Sequence, residues 1–223
     1  MCQARPVPDP VADLLARAAR GQPPPDDGRT EVLPHPRGPV AAVLAFAGQH
    51  VVAADVEARW VRERLPDGDL SAPVGPAFVD ALAHRLGRTF DNLDVVLAAR
   101  GLGTRPPLDV RPVPPERAGD HPRLSRARRY RTEVRAFETP DGAGLVMAGR
   151  GLAGRWEIAF EVTPAARGAG LGRALVTAGR SLVPAGEPAF VQVAPGNVPS
   201  LRAVLAAGGF VPIGGEILFA RPA

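Results

Sequence analysis

Residues 156–173 read WEIAFEVTPAARGAGLGR, and the rest of the chain is organised around them. The first seven, 156–162, alternate and are rich in aromatic and β-branched residues, the pattern of a strand. Pro164 cannot donate to a ladder and stops it. The glycine-rich Arg167-Gly168-Ala169-Gly170-Leu171-Gly172 follows, then an alanine- and leucine-rich run that predicts a helix to about Leu182. A strand, a glycine turn and a helix start make an anion site. The first amides of a helix lack internal acceptors, the dipole adds partial positive charge, and glycine lets a phosphate reach the backbone. The composition of the turn predicts a diphosphate cradle.

The kind of diphosphate can be narrowed. A kinase-type loop needs Lys-Ser/Thr after its last glycine, where this chain has Arg173-Ala174. A dinucleotide fold needs GxGxxG directly after its strand, whereas here RxxGxG begins five residues beyond Val162. The pattern resembles the GNAT superfamily of acyl-CoA-dependent N-acyltransferases. Three features carry the resemblance, in order: Glu157 with Val162 and Pro164, the turn with Arg167, Gly170 and Gly172, and Asn197-Val198-Pro199-Ser200 leading to Gly209-Phe210. It covers roughly the last hundred residues, a usual size for a compact domain.

The resemblance implies an α/β (α+β) fold with a GNAT-type mixed, mostly antiparallel central sheet flanked by helices. It implies an N-acyltransferase, with acetyl-CoA as co-substrate and an amine as acceptor. The backbone of Val162 should pair with the pantetheine amides where the sheet splays open. Amides of Gly168, Ala169, Gly170, Leu171, Gly172 and Arg173 should hold the pyrophosphate, with Arg167 and Arg173 adding charge. Asn197 should contact the pantetheine arm, with Ser200 just beyond it. Acyl transfer to an amine needs a proton acceptor and a proton for the leaving thiolate. Glu157 stands where some members carry the base, and Glu161, on the same strand face, is a second candidate. The family's frequent tyrosine acid, about seven residues after the asparagine, is replaced by Val204, and the one tyrosine is Tyr130. That departure supports an alternative, an acyl-CoA-binding regulatory or structural module with weak or no catalysis.

Composition bounds the other possibilities. The 223 residues, 45% hydrophobic, can bury one large or two small cores. No apolar run approaches the roughly 18 residues of a membrane span, and no signal peptide opens the chain, so a soluble, cytoplasmic protein with no membrane partner is expected. Cys2 alone cannot form an internal disulfide. All 27 basic Lys/Arg positions are arginine, giving a net charge of +4. His35, His50, His84 and His121 lack ligand spacing, so no metal is expected. The segment RLSRARRYRTEV, 123–134, predicts a helix with Leu124, Ala127, Tyr130 and Val134 on one face. Its arginines could contact nucleic acid, but without interleaved aromatics a solvated face is the better reading, and no nucleic-acid partner is expected.

The remaining organisation follows from periodicity and breakers. Residues 1–30 hold a short helix from Val11, capped by Asp9, and a Pro-rich tether. Residues 31–102 read as strands at 40–46 and 51–54, helices at 56–65 and 78–86, and a strand at 93–99. Two readings are open for this unit: an accessory, degenerate GNAT-like half, or the opening part of one extended acyltransferase fold. The accessory α/β subdomain is adopted, with 103–122 as a Pro/Gly-rich linker and 123–223 as the acyltransferase domain. Within that domain, strands at 134–139, 144–149 and 156–162 form a meander, followed by the cradle helix. A strand at 189–193, a helix at 200–207 and a strand at 217–220 complete it. Acceptor identity and oligomeric state are not encoded in any readable motif.

Overall fold

The computed structural model describes residues 9–222, so the expectation for Cys2 lies outside the described residues. Helix α1 (Pro10–Ala18) begins as its sequence dictates. Asp9 Oδ1 accepts from the amides of Val11 and Ala12 at 3.1 and 3.2 Å, and Pro10 occupies the first turn, where no amide is needed. Val11, Leu14, Leu15 and Ala18 are its buried face.

Strands β1 (Thr30–Leu33), β2 (Ala41–Ala45) and β3 (His50–Ala53) precede helices α2 (Ala58–Arg62) and α3 (Pro76–Leu86), then the long β4 (Thr89–Arg100). After β5 (Arg111–Pro112) and α4 (Pro115–Asp120) come α5 (Pro122–Tyr130), β6 (Thr132–Glu138), β7 (Gly144–Arg150) and β8 (Trp156–Val162). The chain ends with α6 (Leu171–Leu182), β9 (Pro188–Val193), α7 (Val198–Ala206) and β10 (Val211–Ala220). The expected helix over 123–134 stops at Tyr130. Arg131 is already extended, and the β-preferring Thr132 and Val134 join β6, with a register shift at Glu133 (φ 52°).

All ten strands form one sheet, in the order β1-β3-β2-β10-β4-β9-β8-β7-β6-β5. Only β1–β3 and β8–β9 pair in parallel, so the sheet is mixed and mostly antiparallel, as expected. The expected separation into an accessory subdomain and an acyltransferase domain is corrected by this pairing. Strand β4, from the N-terminal half, lies between β9 and β10, and β10 pairs on its other side with β2. Strand β10 is paired on both sides by strands from the N-terminal half, and β9 pairs with β4 along its whole length, so hydrogen bonding joins the two halves. The expected linker is also part of the body: Leu108 and Val110 pack against the core under α6, and Arg111 and Pro112 extend the sheet beside β6.

Helices cover both faces. On one, α1 packs over β2, β3 and β4, and α5 covers Leu145 and Met147 of β7. On the other, α3 covers β2 and β10, while α6 and α7 cover β7, β8, β9 and the end of β4. Alternate residues of β8 therefore serve different layers. Trp156 and Ile158 go under α6, whereas Ala159 packs beneath α5.

Candidate functional site

Strands β8 and β9 pair only at Trp156↔Ala189 and Glu157↔Phe190. Beyond that point β8 stays bonded to β7 as far as Val162, and β9 to β4 as far as Val193. The sheet therefore opens between them. The polypeptide leaving β8 at this opening makes the glycine turn and enters α6.

The turn leaves its backbone amides open. Gly168 and Gly170 have φ of +85° and +84°, left-handed values that glycine adopts without penalty, and a Cβ on either would meet open space within 4 Å. Among the described residues, none of the six amides from Gly168 to Arg173 donates to a backbone carbonyl, and no side chain caps α6. These unpaired donors at a helix N-terminus fit a pyrophosphate. A groove of about 740 Å³ runs from this turn along Phe160 and Val162 to Asn197 and Ser200, a usual size for a small-molecule site. A further hollow of about 540 Å³ crosses the α6 N-terminus to Pro107 and Leu108, within the expected linker.

The residues expected to bind cofactor thus converge. Val162, Arg167, Gly168, Gly170, Gly172, Arg173, Asn197 and Ser200 line the groove, and Ala169 and Leu171 line the adjoining hollow. Arg167 turns its Nε back to the Val162 carbonyl at 3.4 Å. Asn197 Oδ1 caps α7 by accepting from the Ser200 amide at 3.3 Å.

Glu157 is not brought to the groove. It is fully buried and lines neither cavity. Its carboxylate lies 2.7 Å from Arg131 Nε and 2.9 Å from Arg155 Nε, and it accepts from the Leu152 amide at 3.2 Å. Gly151 makes room for it, since a Cβ there would come within 2.1 Å of the carboxylate carbon. Burial disfavours the Glu157 charge, but Arg131 and then Arg155 outweigh burial and hold the carboxyl below its usual range. A buried, doubly paired anion with a depressed pKa suits a structural ion pair better than a base, which corrects the expectation from sequence. Glu161 is half-exposed, 3.9 Å from Arg123.

A second cavity, about 210 Å³, lies on the opposite side of the opening. It shares Arg123, Phe160, Asn197 and Ser200 with the groove, so the two meet where the strands part. Its polar wall comes from β4 (Asp91, Asp94), α5 (Arg126, Tyr130) and β9 (Gln192). Tyr130 donates its hydroxyl to Asp91 Oδ2 at 2.7 Å, and Arg126 meets the same oxygen at 2.6 Å. Burial raises the Tyr130 pKa, and the bond to Asp91 adds to it. Val204, standing where the resemblance led one to look for a tyrosine, is fully buried in the core between α7 and the sheet. The sequence held one signal for this wall: Asp94 interrupts the apolar run of β4. Its placement beside β9 required the tertiary pairing.

The opening between parallel β8 and β9, with the RxxGxG turn leading from it into α6, is the arrangement the resemblance implies. The fold is GNAT-like. Searched against protein-family models, the chain matches none. Similar solved structures include an acetyltransferase from the GNAT family from Colwellia psychrerythraea (14% identity, TM-score 0.38, 65% of this chain and 62% of that one). A GCN5-related N-acetyltransferase from Kribbella flavida is similar at 16% identity and TM-score 0.40, over 65% of this chain and 64% of that one. Another, from Sphaerobacter thermophilus, gives 17% and 0.40, over 64% and 55%. In each of these three the match spans less than two thirds of the other chain, and at such scores the likeness adds nothing to the site. Among curated proteins, a nicotinate-nucleotide–dimethylbenzimidazole phosphoribosyltransferase of Salinispora tropica is 36% identical over 103 residues. That match takes in 45% of this chain and 27% of the phosphoribosyltransferase.

Among the described residues no three His, Cys, Asp or Glu side chains cluster as a metal site, and no helix is long and apolar enough to cross a membrane.

Proposed function

We propose that the chain is an acyl-CoA-dependent N-acyltransferase that uses acetyl-CoA and transfers the acetyl group to an amine. The observation that carries this reading is the row of six unpaired amides at the α6 N-terminus, four of whose residues (Gly168, Gly170, Gly172 and Arg173) line a groove that continues into the opening between β8 and β9. A diphosphate on those amides, with its arm running past Val162 and Asn197, would bring a thioester to where the groove meets the second cavity. Bringing amine and thioester together there supplies much of the rate by proximity. Arg167, Arg173 and Arg202 line the groove and add positive charge along the diphosphate's path.

The alternative, an acyl-CoA-binding module with weak or no catalysis, is favoured by the commitment of Glu157 to Arg131 and Arg155 and by the buried Val204. Calorimetric titration of acetyl-CoA and free CoA separates cradle from relic. The wild type should bind with micromolar Kd, about −8 kcal/mol. Gly170→Glu, which puts a charged side chain at a left-handed position within the turn, should weaken binding at least about 100-fold, roughly 2.7 kcal/mol. An amine-dependent release of thiol by the wild type then distinguishes enzyme from module.

A further inference from the structure

The arginines of α5 divide by face. Arg128 donates to the Ala118 carbonyl, and Arg129 to the Arg221 carbonyl and to Thr89, so both tie the helix to its neighbours. Arg123 and Arg126, at helical spacing with Tyr130, turn instead to the second cavity, and Arg131 joins them from just beyond the helix. The wall they help to make is mostly polar, and its charged side chains are these three arginines against Asp91 and Asp94, so positive charge is in excess. None of the three is fully committed within the protein. Arg126 gives Nη2 to Asp91, and Arg131 gives Nη2 to Gln192 with Nε 2.7 Å from Glu157, so Nη1 of each has no acceptor among the described residues. Arg123 donates to the Phe160 carbonyl at 3.0 Å and comes only to 3.9 Å from Glu161. Burial lowers the Arg123 pKa; Glu161 opposes this, and the nearness of Arg131 and Arg126 adds to it, a repulsion that an anion among the three would relieve. A guanidinium presents its N–H groups as a planar fork that fits a carboxylate. At roughly 30 Å³ for each water-sized group, 210 Å³ holds about seven such groups, enough for a carboxylate on a short chain. We propose that this cavity recognises a carboxylate, held by Arg123, Arg126 and Arg131, and that the amine acceptor is therefore a small amino acid.

The assignment rests on the acyltransferase reading and adds the acceptor's chemical class to it; it concerns recognition and introduces no covalent step. Arg126 and Arg131 line the cavity but not the groove, whereas Arg123 lines both. A carboxylate held on Arg126 and Arg131 leaves the amino end of the same short molecule free to reach the junction at Phe160, Asn197 and Ser200, which both spaces share. A neutral amine of equal size offers these cations no partner, and shutting them off from water without an anion is unfavourable. Discrimination should therefore fall on amines that lack a carboxylate. A phosphonate carries more negative charge than three arginines against two aspartates can balance.

The test uses the full chain with acetyl-CoA and thiol-release kinetics on glycine and β-alanine, on their neutral amides, and on aminomethylphosphonate. Calorimetry gives the acetyl-CoA affinity of each variant. The wild type should favour each acid over its amide at least about 30-fold in kcat/KM, and glycine over aminomethylphosphonate at least about 10-fold. Arg126→Gln should lower the acid-over-amide preference at least about 10-fold, through KM, while acetyl-CoA affinity stays within about twofold. Arg123→Gln, at a half-exposed position, is the second variant, assayed at saturating acetyl-CoA because Arg123 lines the groove too. It should lower the same preference severalfold. Equal turnover of acids and amides, a preference for the phosphonate, turnover of nothing by a protein that binds acetyl-CoA, or an unchanged preference in either variant that still binds it would each overturn the assignment. A wild type that fails to bind acetyl-CoA would instead remove the acyltransferase reading beneath it.

Discussion

Glu157 and Glu216 share one arginine, and burial leaves them in different states. Both are shut off from solvent, and Arg155 bridges them, its side chain 4% exposed. Glu157 has Arg131 as a second partner, and its carboxyl is held low. For Glu216, burial is the largest influence, and repulsion from Glu157 and Asp94 adds to it against the attraction of Arg155, so its carboxyl is raised. The signs follow. A depressed carboxyl contributes stability that is present above its unfolded pKa, about 4.3, and is lost as pH falls through the folded value. A raised carboxyl does the reverse, costing stability when charged and returning it on protonation. Glu157→Gln should therefore destabilise the protein at pH 7 by about 3 kcal/mol, since it strips Arg131 of its only ion-pair partner among the described residues. Glu216→Gln should cost much less, about 1 kcal/mol or below. Urea unfolding of both variants at pH 7 checks the ordering, and equal losses would refute the difference in charge state.

The cradle depends on how closely α6 lies on the sheet. Gly179 faces β8, and a Cβ there would come to 2.4 Å from Ile158 Cγ2 and 3.2 Å from Val146 Cγ2. Helix propensity favours Gly179→Ala by about 1 kcal/mol, but the overlap opposes it by about 1–3 kcal/mol. Overpacking wins because both obstructing groups are β-branched and buried under the same helix. Gly179→Ala should lower Tm by up to roughly 8 °C in scanning calorimetry, a net cost of up to about 2 kcal/mol on the scale of about 2–4 °C per kcal/mol for a chain of this size. It should also weaken acetyl-CoA severalfold, because any lift of α6 moves the amides of its first turn. A rise in Tm would mean that the helix can shift at no cost.

The molecule is held together by strands exchanged across its middle. With β4 removed, β9 and β10 lose the partner between them, and β10 also needs β2. Residues 123–223, expressed alone, should accordingly show no cooperative thermal transition and should aggregate through unpaired edges. The intact chain should unfold in one transition by both circular dichroism and tryptophan fluorescence, since Trp60 lies over α3 and Trp156 under α6. A soluble, cooperatively folding fragment that binds CoA would restore the domain boundary read from sequence.

Much of this was written locally. Strand β8, its proline stop, the left-handed glycines and helix α6 follow from period, breaker and backbone sterics within residues 156–182, and so the geometry of the turn was legible. Asp9 and Pro10 likewise announced α1. What tertiary structure decided was charge partnership and strand neighbours. The alternation that puts Glu157 on one face of β8 gives no hint that Arg131 and Arg155 wait there, or that Asp94 arrives from another half of the chain. Those contacts join residues up to 61 apart within the ion-pair network, and β4 to β9 across nearly a hundred positions, separations over which local pattern carries no information. The anion turn is a property of consecutive residues. The wall of the second cavity is a property of the sheet.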